Sequence, residues 1–248
     1  MRIGISGTYS SGKTFTSMAL SHYTGLPRTR ARTMREILPE AAPGKTLEEC
    51  TAAELIQMIV TRHVERAVYE DKLSDGFISD GSSLQEWIYG SVRVSLGLNP
   101  SASAHLSAGE TVEKTPELVF FEEVMTSLGN SFKRHVQNSF DVFVHLKNEL
   151  PLSADGHRPV NDQFRNMSDA ILQQTMDELG IPFHVVSGSV EERLEQIASL
   201  FNLQPRMSPA DATRLASEEY AQLDIRSEQE RAASAQEPAA SEQEPVLQ

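Results

Sequence analysis

A mostly parallel sheet covered by helices, an α/β fold, is what this sequence predicts, on three observations. A short apolar run, Arg2-Ile3-Gly4-Ile5-Ser6, leads straight into a glycine-rich turn and then a helical pattern. Further runs of strand length, Gly76 to Asp80, Asp141 to Leu146 and Phe183 to Val186, alternate with segments of helical periodicity. With 248 residues and 39% hydrophobic content, the chain suits one α/β domain plus an extension better than two full domains.

The first turn carries chemistry. Gly7-Thr8-Tyr9-Ser10-Ser11-Gly12-Lys13-Thr14 fits G-x-x-x-x-G-K-(S/T), a phosphate-binding loop, and it stands where such a loop belongs, between strand and helix. Phe15, Met18, Ala19 and Tyr23 recur at helical spacing after it, which puts Lys13 and Thr14 in the first turn, where the helix dipole favours anions. In such a loop the glycines let backbone N–H groups turn inward around phosphates. The lysine reaches the β and γ oxygens, and the hydroxyl holds Mg²⁺. Residues Gly7 to Thr14 are thus the expected nucleotide contacts, with Thr14 also a metal ligand.

The remaining elements follow in order. Ala53, Ile56, Val60, Val64 and Ala67 mark one long helix. Gly76-Phe77-Ile78-Ser79-Asp80 reads as a strand ending in a carboxylate, and Leu84 to Leu96 as the helix leaving it. Asn99 to Thr115, rich in Ser, Ala and Gly, is long for a loop and so is expected to be functional or mobile. Pro116 opens a helix through Phe120, Val124 and Leu128, and Met167 to Leu179 is helical. The last strand precedes a helix carrying Val190, Leu194, Ile197 and Phe201. No internal repeat is visible.

Ligands of open α/β sheets sit at the carboxyl ends of the strands, where Asp80 falls. A carboxylate there can bind Mg²⁺ or accept the proton of an attacking hydroxyl. Asp80-Gly81-Ser82-Ser83 is also a good helix cap, a second use for the same residue. Trp87 and Tyr89 could stack on a planar substrate, although a lone Trp on a helix is more often core. Arg28, Arg30, Arg32 and Arg35 suit an anionic group or a charged entrance, and equally a solvated face. Asp155-Gly156-His157-Arg158 and Asp162-Gln163-Phe164-Arg165 lie between a strand and a helix. Arg158 and Arg165 could close over phosphates as a lid, or Arg165 could pair with Asp162 or Asp169.

Composition excludes several classes. A net charge of −13 argues against general nucleic-acid binding, which rests on cationic contacts to phosphate. No apolar stretch is long enough to span a bilayer, and the first strand begins at residue 2, so no membrane partner and a cytoplasmic location are expected. The only cysteine, Cys50, reads as a small core or surface residue. The domain is expected over residues 1–205. Residues 206–248 form an acidic extension: a helix from Ser208-Pro209 with Ala212, Leu215, Ala216, Tyr220 and Leu223 on one stripe, then a segment expected to be disordered. A solvated end suits that segment better than a docking site for a protein partner.

Together, Gly7–Thr14, the Asp80 strand, Asp155-Gly-x-Arg158, Phe164-Arg165 and Gly188-Ser189 with Glu192-Arg193 resemble the P-loop kinases related to the ribosylnicotinamide kinase domain of the bifunctional NAD-biosynthesis regulator. The resemblance covers most of residues 1–203 and implies a nucleoside- or nucleotide-kinase-like P-loop fold with a lid. It also implies ATP, Mg²⁺ and transfer of a γ-phosphoryl group to a small hydroxylated acceptor, often a nucleoside. In that reading Lys13 and Thr14 hold MgATP, Asp80 orients or deprotonates the acceptor or binds the metal, and Arg158 and Arg165 stabilise the transferring group. Asp80-Gly81 stands where many relatives have Asp-Arg, and the Arg28–Arg35 segment is basic where they are acidic. A second reading is an ATP-hydrolysing regulatory switch whose acceptor is water and which acts through a protein partner of the acidic extension. A nucleic-acid-remodelling ATPase fits poorly with the acidic charge.

Overall fold

The computed structural model describes residues 1–107, 109–152 and 161–223. Its sheet has four strands, β1 (Arg2–Ser6), β2 (Phe77–Asp80), β3 (Val142–Leu146) and β4 (Phe183–Val186), all parallel in the order β2-β1-β3-β4. Strands buried on both faces carry few charges: β3 is buried throughout and β1 from Ile3 to Ser6. The chain leaves β1 towards β2 and later crosses to β3 on the other side, so the carboxyl end of β1 is a topological switch point. Register sets Ile5 beside Asp80 and Ser6 beside His145, which brings three strand ends to one place.

Helices cover both faces: α1 (Lys13–Thr24), α2 (Met34–Ala41), α3 (Ala52–Lys72), α4 (Ser83–Leu96), α5 (Pro116–Ser139), α6 (Asp162–Glu178), α7 (Val190–Phe201) and α8 (Pro209–Tyr220). Sequence-local caps start several of them. Thr51 with Glu54, Ser82 with Gln85 and Ser189 with Glu192 form reciprocal capping boxes. One core layer joins β1 and β3 to α1, α7 and α8. A second lies among α2, α3 and α5, and a third gathers Phe143 with residues of α4 and α6. Cys50 is a small buried residue of the second layer.

Three expectations change. Helix α3 exists, but its valine stripe points outward: Val60, Val64 and Val68 are exposed, while Leu55, Met58, Ile59, Arg66 and Glu70 are buried. The valines are one of two competing faces, and the charged residues interleaved with Leu55 and Ile59 disguise the other. In α5 Phe120 is likewise exposed, and Leu118, Phe121, Met125 and Phe132 carry the packing. Helix α6 begins five residues earlier than its apolar pattern, because Asn161 caps it by accepting from Phe164 N–H at 2.9 Å.

Two connecting regions are bound into the fold. Asn161 Nδ2 donates to Pro100 O at 2.7 Å and Val112 N–H to Ser95 O at 2.9 Å, tying the long α4–α5 connection to its neighbours. Helix α8, assigned by sequence to the extension, packs on α1 with Ala212 and Ala216 fully buried. Residues 224–248 lie outside the described residues. No helix among those described is long and apolar enough to cross a membrane.

Candidate active site

The phosphate loop is held by hydrogen bonds from below and behind. Gly12 caps α1 in the left-handed region at φ 87°. Gly7, at φ 135°, runs so close to its surroundings that a Cβ there would lie 2.7 Å from Ser11 Oγ. Thr8 Oγ1 donates to Asn148 Oδ1 at 2.7 Å and Ser11 Oγ to Thr8 O at 2.9 Å, while Lys13 Nζ arches over the loop to Thr8 O at 2.6 Å. From α7, Arg193 donates through Nη1 to Ser11 O at 3.0 Å and through Nη2 to Glu149 Oε2 at 3.2 Å. The Gly188 N–H donates to the same carboxylate oxygen, and with Arg193 it holds Glu149 below the usual carboxylate range.

A buried polar chain lies beneath. Gln85 Nε2 donates to Ser6 Oγ at 3.3 Å, Ser6 Oγ is 3.3 Å from His145 Nδ1, and His145 Nε2 is 3.2 Å from Asp169 Oδ1. Burial pushes Asp169 upward, but His145 and the hydrogen bonds around it outweigh this and leave its carboxyl low.

Beside the loop, Thr14 Oγ1 donates to Asp80 Oδ2 at 2.7 Å. Helix α4 is capped by Ser82, which frees Asp80 from that task and leaves it facing Thr14. The opposite wall comes from α3. Arg66 Nη1 donates to Asp80 O at 2.8 Å and Ser79 Oγ at 3.1 Å, and its Nη2 is 3.5 Å from Glu86 Oε1. Arg62 Nε lies 3.2 Å from the same Glu86 oxygen. Burial, with Arg62 next to it, pushes the Arg66 guanidinium below its ordinary value, and Glu86, Glu70 and Asp80 oppose that.

These groups line a cavity of about 460 Å³ that includes Tyr9 to Phe15, Arg62, Arg66, Asp80, Glu86, Leu150 and Tyr220. A pocket of about 70 Å³ opens beside it, walled by Met34, Leu47, Leu55 and Ile59 with Gly90 and Arg93. Tyr9, Arg62, Glu86 and Tyr89 line both spaces. The rings of Tyr9 and Tyr89 stack at 4.3 Å, and Tyr9 is 5.8 Å from Phe164. Burial pushes the Tyr89 phenol well above its ordinary value, so it stays neutral.

Lys13, Thr14 and Asp80 therefore meet as the sequence suggests, with Tyr9, Ser10, Ser11 and Gly12 on the same cavity and Gly7 and Thr8 shaping the turn. Arg165 does not join them. It is buried, donates from Nη1 to Leu150 O at 2.8 Å, and lines neither space, so it braces the segment after β3. Arg158, with Asp155 and Gly156, lies outside the described residues. Two members of the basic cluster are engaged within the fold: Arg28 pairs with Glu219, and Arg32 pairs with Glu65 at 2.6 Å and Glu40 at 2.8 Å, while Arg30 is exposed. Trp87 belongs to the α4–α5 contact, its Nε1 donating to Met125 O at 2.9 Å, whereas Tyr89 faces the cavity. Sequence reasoning missed Arg62, Arg66 and Glu86. For Arg62 and Arg66 the signal was there, charged residues at i, i+4 spacing on the face of α3 opposite the valines, whereas Glu86 stands on α4.

The residues present fit a magnesium-bound triphosphate. Mg²⁺ takes oxygen donors, few of them from protein, with phosphates and water completing the shell, and Thr14 and Asp80 supply that kind of set. Among the described residues no cluster of three or more His, Cys, Asp or Glu could hold a metal without such help.

The AAA domain family model AAA_28 matches residues 2–193, and the chain belongs to that family. No curated protein matches. Solved structures of deoxyadenosine kinase from M. mycoides share the fold. The one with products dCMP and a flexible dCDP bound has TM-score 0.54 at 17% identity, covering 82% of this chain and 99% of that one. The dCTP-bound structure gives 0.53 at 18% and the dATP-bound one 0.53 at 17%, with the same coverage. The architecture is thus a P-loop nucleotide-binding fold of the nucleoside-kinase kind.

Proposed function

We propose that this protein is an ATP- and Mg²⁺-dependent kinase that transfers the γ-phosphoryl group to the hydroxyl of a small acceptor. The observation that carries this reading is the second, apolar-walled pocket opening off the phosphate cavity through Tyr9, Arg62, Glu86 and Tyr89. A switch that hydrolyses ATP needs room only for water, whereas a kinase needs a separate place for its acceptor. The likeness to deoxyadenosine kinase structures supports the same choice. The sequence resemblance to ribosylnicotinamide kinases makes nucleosides and nucleoside-like metabolites the first acceptors to try.

MgATP, when bound, supplies the phosphoryl group. Lys13 and the loop N–H groups bind its phosphates, and Thr14 and Asp80 hold the metal. Asp80 is held through Thr14 on the metal side, which leaves Glu86 as the carboxylate on the acceptor side, accepting a hydrogen bond from the acceptor. Arg62, at the junction of the two spaces, faces the charge that develops during transfer. Arg165 is a positioning residue acting through Leu150, and Arg158 remains assigned to the phosphoryl group on its sequence position. The nucleotide-binding unit includes α8.

Turnover of γ-labelled ATP against nucleosides, sugars and amino alcohols tests this. Turnover should be slow alone and rise sharply with one acceptor class, with label appearing in that acceptor. Release of label only to water, unchanged by every acceptor, would favour the switch.

A further inference from the structure

The nucleotide cavity has an edge that no phosphate-loop residue provides. Its wall includes Tyr220, from the end of α8, beside Phe15, the residue after Thr14. The two rings meet edge-on, centroids 5.8 Å apart at 66°. Tyr220 is held there by its helix: Ala212 and Ala216 are buried in the core layer shared with α1, and Glu219 pairs with Arg28 and, at 3.1 Å, with His22. Neither aromatic belongs to the acceptor pocket, whose shared wall is Tyr9, Arg62, Glu86 and Tyr89.

Direction follows from that division. Resting on the kinase reading, the γ end of the triphosphate must face the junction with the acceptor pocket, and the nucleoside end then points away from it. The cavity wall not shared with that pocket includes Phe15, Leu150, Pro151 and Tyr220. We propose that Tyr220 is a nucleotide-binding residue: with Phe15 it forms the aromatic edge against which the base and ribose of the donor nucleotide pack. Helix α8 is then part of the nucleotide site. An aromatic ring suits this task because it offers an apolar face to a planar base without binding phosphate.

Affinities of the full chain for MgATP and for magnesium tripolyphosphate, which has the phosphates but no base, separate the possibilities. Tyr220→Ala should weaken ATP by about fivefold, the worth of one aromatic contact, and leave tripolyphosphate unchanged. Tyr220→Phe should retain wild-type ATP affinity. Thermal melting checks folding, and Tyr220→Leu, which keeps bulk without an aromatic face, replaces the alanine variant if that one does not fold. Equal weakening of both ligands, or unchanged ATP affinity in the alanine and leucine variants, overturns the assignment. Wild-type protein that binds neither ligand would instead remove the nucleotide reading on which it rests. Selective loss for ATP with no acceptor-stimulated turnover would keep Tyr220 at the base while removing the kinase.

Discussion

Two walls face each other across the cavity, and they are built on opposite principles. The phosphate loop presents backbone, with its shape fixed by hydrogen-bond partners such as Arg193, Asn148 and Ser11. Helix α3 presents guanidinium groups whose charges are held in place by one shared carboxylate, Glu86. A wall of backbone N–H groups recognises phosphate whatever is attached to it, whereas a wall of paired side chains can be retuned one residue at a time. On the proposed kinase reading, nucleotide binding should therefore be robust, and acceptor choice adjustable at the junction with the second pocket.

The largest effect should come from the loop. Lys13→Ala removes a charge aimed at phosphate and not a core contact, and is expected to abolish measurable ATP binding and turnover while the far-ultraviolet spectrum stays native. If the folded variant keeps wild-type affinity and rate, the nucleotide site lies elsewhere. Asp80→Asn preserves shape but weakens the metal side, and should lower phosphoryl transfer by about 10²-fold or more in acceptor-dependent assays, in line with the several kcal/mol a bound metal contributes. Arg62→Met sharpens the contrast between the walls. It should lower kcat by about 10²-fold with little change in KM for ATP, as expected for a group that acts on developing charge. A rise confined to KM for ATP would move Arg62 to the nucleotide side.

The last two effects are on stability. Ending the chain at Pro205 removes α8 and exposes the surface of α1 that it covers, so melting should fall by several degrees, at about 2–4 °C per kcal/mol for a chain of this size. An unchanged melting temperature would make α8 dispensable to the core. On the inner face of α3, His63 stacks on Phe132 at 4.1 Å, approaches Ser83 Oγ at 2.8 Å and meets His135, which pairs with Glu70. Burial first, then His135 and Arg66, push its pKa down to about 4. The unfolded chain takes up this proton near the ordinary histidine value while the folded one resists until about pH 4, so stability falls as pH drops through that window. His63→Asn should lose this part of the slope, seen as a smaller drop in melting temperature between pH 7 and pH 5 than wild type shows. Identical slopes would mean that His63 does not resist protonation in the fold.

The same two walls explain what could be read from the residues alone. The loop was legible because its geometry is local: eight consecutive positions specify both the turn and the start of α1, and Asp80 was found because a strand's carboxyl end is a place that topology marks. Helix α3 was legible as a helix and misread as a face, since Val60 and Val64 carry a stronger apolar signal than the stripe that packs. What decides its orientation is long-range. Glu86 on α4 and the strand end at Asp80 give Arg62 and Arg66 partners, and no periodicity within α3 reports them. Arg165 shows a third case: its burial was not foreseen, because its partner is a backbone carbonyl, which leaves no trace in side-chain identity.

The tie between Arg193 and Ser11 also sets an order of events on the ribosome. The loop is made among the first residues of the chain, yet the guanidinium that braces it arrives 182 positions later. At about 5–20 residues per second, that is a wait on the order of ten seconds or more before the brace exists. β1 also has to wait for β3, Val142–Leu146, and a parallel sheet closed by distant segments is slow to form. A nascent chain stalled before α7 should thus lack the brace on Ser11 and fail to retain nucleotide, which makes translation itself the step that switches this site on.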